Sequence, residues 1–204
     1  MSAPSPSLNE YTSKFNTTCS NLFSKTPYKW QTDVGASMLR SIHSTDAATI
    51  YQLCVHPTGG GKSLLFTTLA ASLGHITLCI TPLLSLSADQ TIKHDQKNTI
   101  SGQNEINSVH LDKIPKGDVS EFITLCQATI DSFSTIIYAS PQALITKDGP
   151  SSFLKFLLDH KHFLKMVVID EIHLMNNFGR SFQNEFQMLK DGLFSKVKHD
   201  TPML

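Results

Sequence analysis

The chain has 204 residues, 40% of them hydrophobic and 17% charged, and its 17 basic and 17 acidic side chains cancel to a formal net charge of zero. That apolar content is enough for one sizeable core, and the balance of charge excludes a domain-wide basic field, so any nucleic-acid surface is a local patch. Met1 to Asn9 lacks the charged-then-apolar order of a secretory leader, and no apolar run nears the eighteen or so residues a membrane helix needs, so an intracellular, soluble protein without a membrane partner is expected.

The four cysteines, Cys19, Cys54, Cys79 and Cys126, are far apart and form no Cys-x-x-Cys pair, so they read as reduced thiols rather than as a disulfide or a zinc set. Residues 1–25 are polar and rich in Ser, Thr and Asn, and the expectation is a disordered segment with structure beginning near Pro27. Val34, Met38, Leu39 and Ile42 recur at helical spacing, which predicts a helix over Asp33 to Ile42. Gln31, just ahead of it, carries an amide that both donates and accepts and so can read an adenine edge, although a surface position is the plainer reading.

The apolar run Ile50 to Val55 predicts a strand. It leads into His56-Pro57-Thr58-Gly59-Gly60-Gly61-Lys62-Ser63, and Leu64, Leu65, Phe66, Leu69 and Leu73 follow at helical spacing. Strand, glycine-rich loop and helix N-terminus in that order make a phosphate cradle, because glycines let the backbone N–H groups close on an anion and the helix start adds its free amides and dipole. Thr58, Gly59, Gly60 and Gly61 are the candidate cradle, Lys62 the charge for the β- and γ-phosphates of ATP, and Ser63 the hydroxyl for Mg²⁺. The generic pattern has glycine where this chain has His56.

Gly74 is placed as a helix C-cap, and Ile76 to Ile80 predicts a second strand, ending in Thr81-Pro82-Leu83-Leu84-Ser85-Leu86. Open α/β sheets bind ligands at such strand ends, so Thr81, Pro82 and Ser85 are candidates to hold a nucleic-acid backbone; a polar turn into a helix running toward Lys97 is the alternative. A short strand is expected over Ile106 to Leu111, a helix over Asp118 to Asp131, a strand over Thr135 to Ala139 and a turn at Lys147 to Pro150. A helix over Phe153 to His160 and a strand over Met166 to Ile169 complete the alternation, which implies a mostly parallel sheet. The last strand ends in Asp170-Glu171-Ile172-His173. With a phosphate loop upstream, Asp170 is the candidate to hold Mg²⁺ and Glu171 to orient or deprotonate the water that attacks the γ-phosphate.

Taken together, these segments resemble the first RecA-like domain of superfamily 2 helicases, and within them the RecQ-like family. Pro57 to Ser63 is similar to that family's nucleotide loop. Thr81 to Leu86 with Asp89-Gln90 resembles its Ser-Pro-Leu-x-Ser-Leu-x-x-Asp-Gln segment, Tyr138 to Leu144 its Tyr-x-x-Pro-Glu-x-Leu segment, and Asp170 to His173 its Asp-Glu-Ala-His box. Asn177-Phe178-Gly179-Arg180-Ser181-Phe182, with Glu185-Phe186, lines up with the aromatic-rich loop by which that family couples ATP hydrolysis to DNA. Phe178 stands for the usual Trp, Arg180 for His, Ser181 for Asp, Gln142 for Glu, and Ile172 for a small residue.

The resemblance implies a three-layer α/β RecA-like P-loop NTPase domain over 26–204 with a mostly parallel sheet. It implies an ATP-dependent DNA helicase using ATP and Mg²⁺, with catalytic roles for Lys62, Asp170, Glu171 and His173. It also implies DNA contacts through Phe178, Arg180 and Phe182 on single-stranded or partly duplex DNA, a second RecA-like domain elsewhere, work in DNA repair and recombination, and a place in the nucleus of a eukaryote or else the cytoplasm. Phe178, Phe182 and Phe186 at four-residue spacing also fit the buried stripe of a helix. Thr201 to Leu204 resembles the approach to the family's Ser/Thr-Ala-Thr (motif III) strand, so the domain is expected to be truncated before that strand, incomplete at its C-terminus, and nearly inactive alone. The alternatives are a non-catalytic nucleotide- or nucleic-acid-binding relic and an RNA-directed superfamily 2 ATPase.

Overall fold

The computed structural model describes residues 6–43, 52–57, 59–81, 106–129, 133–146, 149–172, 180–197 and 203–204. Its centre is four parallel strands, β1 (Ile76–Ile80), β2 (Ile106–His110), β3 (Ser134–Ala139) and β6 (Leu164–Ile169), in the order β2-β3-β1-β6. β1 is buried at every position, as a central strand covered on both faces must be. Its side chains divide by alternation: Ile76, Leu78 and Ile80 join one apolar cluster and Cys79 the other. The first cluster lies under α4 (Val119–Thr129), α6 (Ser152–Asp159) and the segment after α7 (Arg180–Leu189), the second under α1 (Leu8–Phe23), α2 (Lys29–Ile42) and α3 (Lys62–Leu73). This is the expected three-layer α/β arrangement. A four-residue helix α5 (Pro141–Leu144) and a two-residue hairpin, β4 (Ile145–Thr146) with β5 (Gly149–Pro150), connect β3 to α6, and Ser195–Val197 forms a last short turn, α8.

Two expectations are corrected. Residues 8–23, expected to lack structure, form α1, opened by a Ser7–Glu10 capping box and burying Tyr11, Phe15 and Cys19 at four-residue spacing. Thr32 Oγ1 donates to Asn16 Oδ1 at 2.8 Å, tying α2 to α1. The polar majority of this segment is its solvent face, and the apolar minority is a stripe. The strand expected over Ile50 to Val55 is likewise not formed by the described residues 52–55: Leu53 and Val55 are 73% and 84% exposed.

The reason lies at the other end of the chain. Met203 bridges Val167 in parallel, Leu204 N–H donates to the Val167 carbonyl, and Ile169 N–H donates to the Leu204 carbonyl. Gln52 N–H then donates to the Met203 carbonyl at 3.0 Å. Residues 203–204 therefore sit between β6 and the segment leading to the phosphate loop. That hydrogen bond ties Gln52 to residue 203, and a strand forms only as far as its neighbour pairs with it.

Candidate functional site

α3 starts at Lys62 because the preceding glycines accept backbone shapes other residues resist. Gly61, the N-cap, has φ +87°, and a Cβ on it would lie 2.5 Å from Gln31 Nε2. A Cβ on Gly60 would lie 2.6 Å from His56 Nδ1 and 2.9 Å from the Pro57 carbonyl. Gly60 is therefore restricted to glycine by contact with backbone, and Gly61 by its positive φ together with the Gln31 amide. Gly60 N–H donates to the Pro57 carbonyl at 3.0 Å, closing the turn. Lys62 Nζ lies over the loop, donating to the carbonyls of His56 at 2.9 Å and Pro57 at 3.4 Å, which a phosphate oxygen would replace as its partners. Thr58 lies outside the described residues.

α2 braces this loop from behind. Gln31 is fully buried; its Nε2 donates to the Gly61 carbonyl at 2.7 Å and its Oε1 accepts from Tyr28 N–H at 2.7 Å. The surface reading of Gln31 is thereby corrected: the amide is spent on the phosphate loop, inside the protein. Beside it Trp30 stacks on His56, with ring centroids 4.1 Å apart and planes 17° from parallel. Trp30 and His56 were not among the expected site residues; the departure of His56 from the generic glycine was the available signal.

The acidic end stands at the same edge of the sheet. Ser134 Oγ, at the start of β3, reaches the Ala71 carbonyl near the end of α3, so α3 runs antiparallel to the strands and its first turn lies at their C-terminal ends. Asp170 N–H donates to the Ile80 carbonyl at 3.0 Å, Thr81 N–H to the Ala139 carbonyl at 3.1 Å, and Thr81 is buried. Glu171 adopts φ +54°, a shape uncommon for a residue with a side chain, and its N–H donates to Asp170 Oδ1 at 3.0 Å. Ile172 is 45% exposed, so its bulk turns outward. His173, Pro82, Ser85 and Phe178 lie outside the described residues. Arg180 and Phe182 fall on the first turn of α7. Phe186, one helical turn beyond Phe182, packs on Phe194 with centroids 5.5 Å apart.

Burial sets the ionisation of two groups beneath this edge. It pushes the Cys79 thiol well above its ordinary value, and the Asp170 charge adds to it; it also pushes the Tyr138 phenol up, with Cys79 and Asp170 adding. All four cysteines are free thiols. Asp112, another residue the sequence did not single out, accepts from Ser140 N–H at 2.8 Å and from Ser140 Oγ, while Ser140 Oγ accepts from Ala143 N–H at the start of α5. Asp112→Ala leaves that cap and the Ser140 amide unsupported and is expected to lower stability by about 1.5–3 kcal/mol, the range for hydrogen bonds to a charged group. Urea unfolding of the pair of proteins checks it.

The donors fit Mg²⁺·ATP. The loop has close-approach glycines, a helix start and a lysine for the phosphates; Ser63 and Asp170 offer oxygen, the donor a hard cation prefers. Among the described residues no group of three His, Cys, Asp or Glu side chains is placed to hold a metal.

Comparison with known proteins agrees. The family description "DEAD/DEAH box helicase" matches residues 32–201. The ATP-dependent DNA helicase hus2/rqh1 of Schizosaccharomyces pombe is 32% identical over 143 residues, 65% of this chain and 10% of that protein. ATP-dependent DNA helicase Q1 of Rattus norvegicus is 28% identical over 142 residues, 66% of this chain and 20% of its own length. ATP-dependent DNA helicase RecQ of Bacillus subtilis is 23% identical over 151 residues, 74% of this chain and 23% of its own length. The chain thus spans between a tenth and a quarter of the length of these relatives. On the strength of the matched domain and its motifs, the chain belongs to the DEAD/DEAH box helicase family, with RecQ-type helicases among its relatives.

Proposed function

We propose that this chain is the ATP-binding lobe of a RecQ-type DNA helicase, taking Mg²⁺·ATP in the loop 58–63 and single-stranded or partly duplex DNA at the loops following its strands. The observation that carries this is the meeting, at one sheet edge, of a loop whose Gly60 and Gly61 leave no room for a Cβ with the Asp170-Glu171 pair. Lys62 charges the phosphates, Ser63 and Asp170 hold Mg²⁺, Glu171 orients the attacking water, and His173 relays the state of the site outward. Gln31 holds the Gly61 carbonyl and, through it, the shape of the loop that takes the nucleotide. Thr81, Pro82 and Ser85 hold the DNA backbone, and Phe178, Arg180 and Phe182 stack on or pair with the strand. A second RecA-like lobe in the longer protein supplies the arginine that phosphoryl transfer needs, and repair or recombination in the nucleus is the setting.

The test uses the full-length protein. Phe178→Ala and Arg180→Ala are each expected to reduce DNA-stimulated ATPase and to weaken strand binding by up to about 1–3 kcal/mol, the worth of one stacked base. DNA-free turnover and melting temperature stay nearly unchanged. A melting drop of many degrees for Phe178→Ala would place that ring in a core stripe instead, and stimulation by RNA but not DNA would move the chain to the RNA-directed class.

A further inference from the structure

The strand register lines up His110, Tyr138, Cys79 and Val168 in one row across the sheet, on the face that α3 covers. Asp170 lies two residues beyond Val168, on the same face by alternation. Tyr138 is 1% exposed, and its hydroxyl, itself buried, has no hydrogen-bond partner among the described residues. Its ring is held by His110, stacked at 5.2 Å with planes 20° apart. From the contact of Ser134 with Ala71, four residues of strand carry the chain about 13 Å toward the C-terminal edge, and about nine residues of antiparallel helix cover the same length. Tyr138 therefore lies level with Lys62 and Ser63.

Two strand spacings separate Tyr138 from β6, about 10 Å, and Asp170 is a further ~7 Å along, too far for a direct bond between phenol and carboxylate and the right span for water between them. Resting on the Mg²⁺·ATP reading above, we propose that the Tyr138 hydroxyl is a positioning residue for the metal: it orients water carried by the cation that Ser63 and Asp170 hold. Among the described residues that buried hydroxyl is otherwise unpaired, which is rare because it is costly.

The experiment is Tyr138→Phe, which removes only the oxygen, with a fluorescent ATP analogue titrated at stepped Mg²⁺ and in chelator. The Mg²⁺ midpoint is expected to rise about tenfold, the low end of the effect of an outer-shell partner. Binding in chelator stays the same and the melting temperature is unchanged or higher. A midpoint within roughly twofold of the parent overturns the proposal, as does an equal rise in Cys79→Ala, which disturbs packing in the same row without removing a hydroxyl. Asp170→Asn separates the two levels: if it too keeps the parental Mg²⁺ dependence, the site assignment fails and not merely the role of Tyr138. Should Tyr138→Phe misfold, 3-fluorotyrosine at the same position keeps the hydroxyl, and its ¹⁹F line must shift when Mg²⁺ is added to the nucleotide-saturated protein; an unmoved line overturns the proposal.

Discussion

Replacing Phe15 by Ala is expected to destabilise the protein by about 3–5 kcal/mol, the range for a buried aromatic cut back to a methyl. Phe15 is fully buried, and its ring lies so close to Gly35 that a Cβ there would collide with it, so α1 and α2 meet at van der Waals distance across this one side chain. The cavity would open in the apolar cluster that also holds Leu39 of α2 and Leu65, Phe66 and Leu69 of the helix that begins at the phosphate loop. At this chain length the loss corresponds to a fall in melting temperature of about 6–20 °C. Thermal and urea unfolding measure it. A change below about 1 kcal/mol would mean that α1 does not pack on the domain as described.

Lys62→Ala is expected to weaken Mg²⁺·ATP binding by about 2–3 kcal/mol, in the range for charge-assisted hydrogen bonds, or roughly 30- to 150-fold in Kd. The ammonium gives up the carbonyls of His56 and Pro57 when phosphate arrives, so what the mutation removes is the difference between a dipole partner and a charged one. Gly60 and Gly61 are also held by the Gly60 N–H bond to Pro57 and the Gln31 bond to Gly61, so folding is expected to survive. Fluorescent-nucleotide titration showing equal affinity in both proteins would remove the phosphate-loop assignment.

Where local pattern and tertiary position agreed, the sequence was readable. The four paired strands fall within a residue or two of their expected limits: β1, β3 and β6 are short apolar runs with buried positions on both faces, whereas β2 is half-buried at its three middle positions, and Gly74 caps α3 as expected. The helix over Leu8–Phe23 is hard to read in the sequence: a Ser7–Glu10 capping box and a stripe of three buried residues in sixteen are a sparse signal, and they suffice only because α2 and α3 supply the surface they cover. Ile50 to Val55 reads as a buried strand because in sequence it is one; its burial depends on a neighbour of which residues 203–204 form two positions. Gln31 looked like a surface amide since nothing in its neighbours reports that the Gly61 carbonyl, thirty residues on, needs a donor. Asp112 and Ser140 lie on different strands' ends, and only the register of β2 with β3 brings them together.

Trp30 is the single tryptophan of the chain and is stacked on His56 of the phosphate loop, so its fluorescence reports directly on that loop. Titrating Mg²⁺·ATP into the 204-residue protein while following Trp30 emission is the most direct test of the nucleotide site. The expected result is a saturable one-to-one change that raises the melting temperature and moves to much higher nucleotide concentration in Lys62→Ala. No change in emission and no thermal shift at millimolar nucleotide would contradict it.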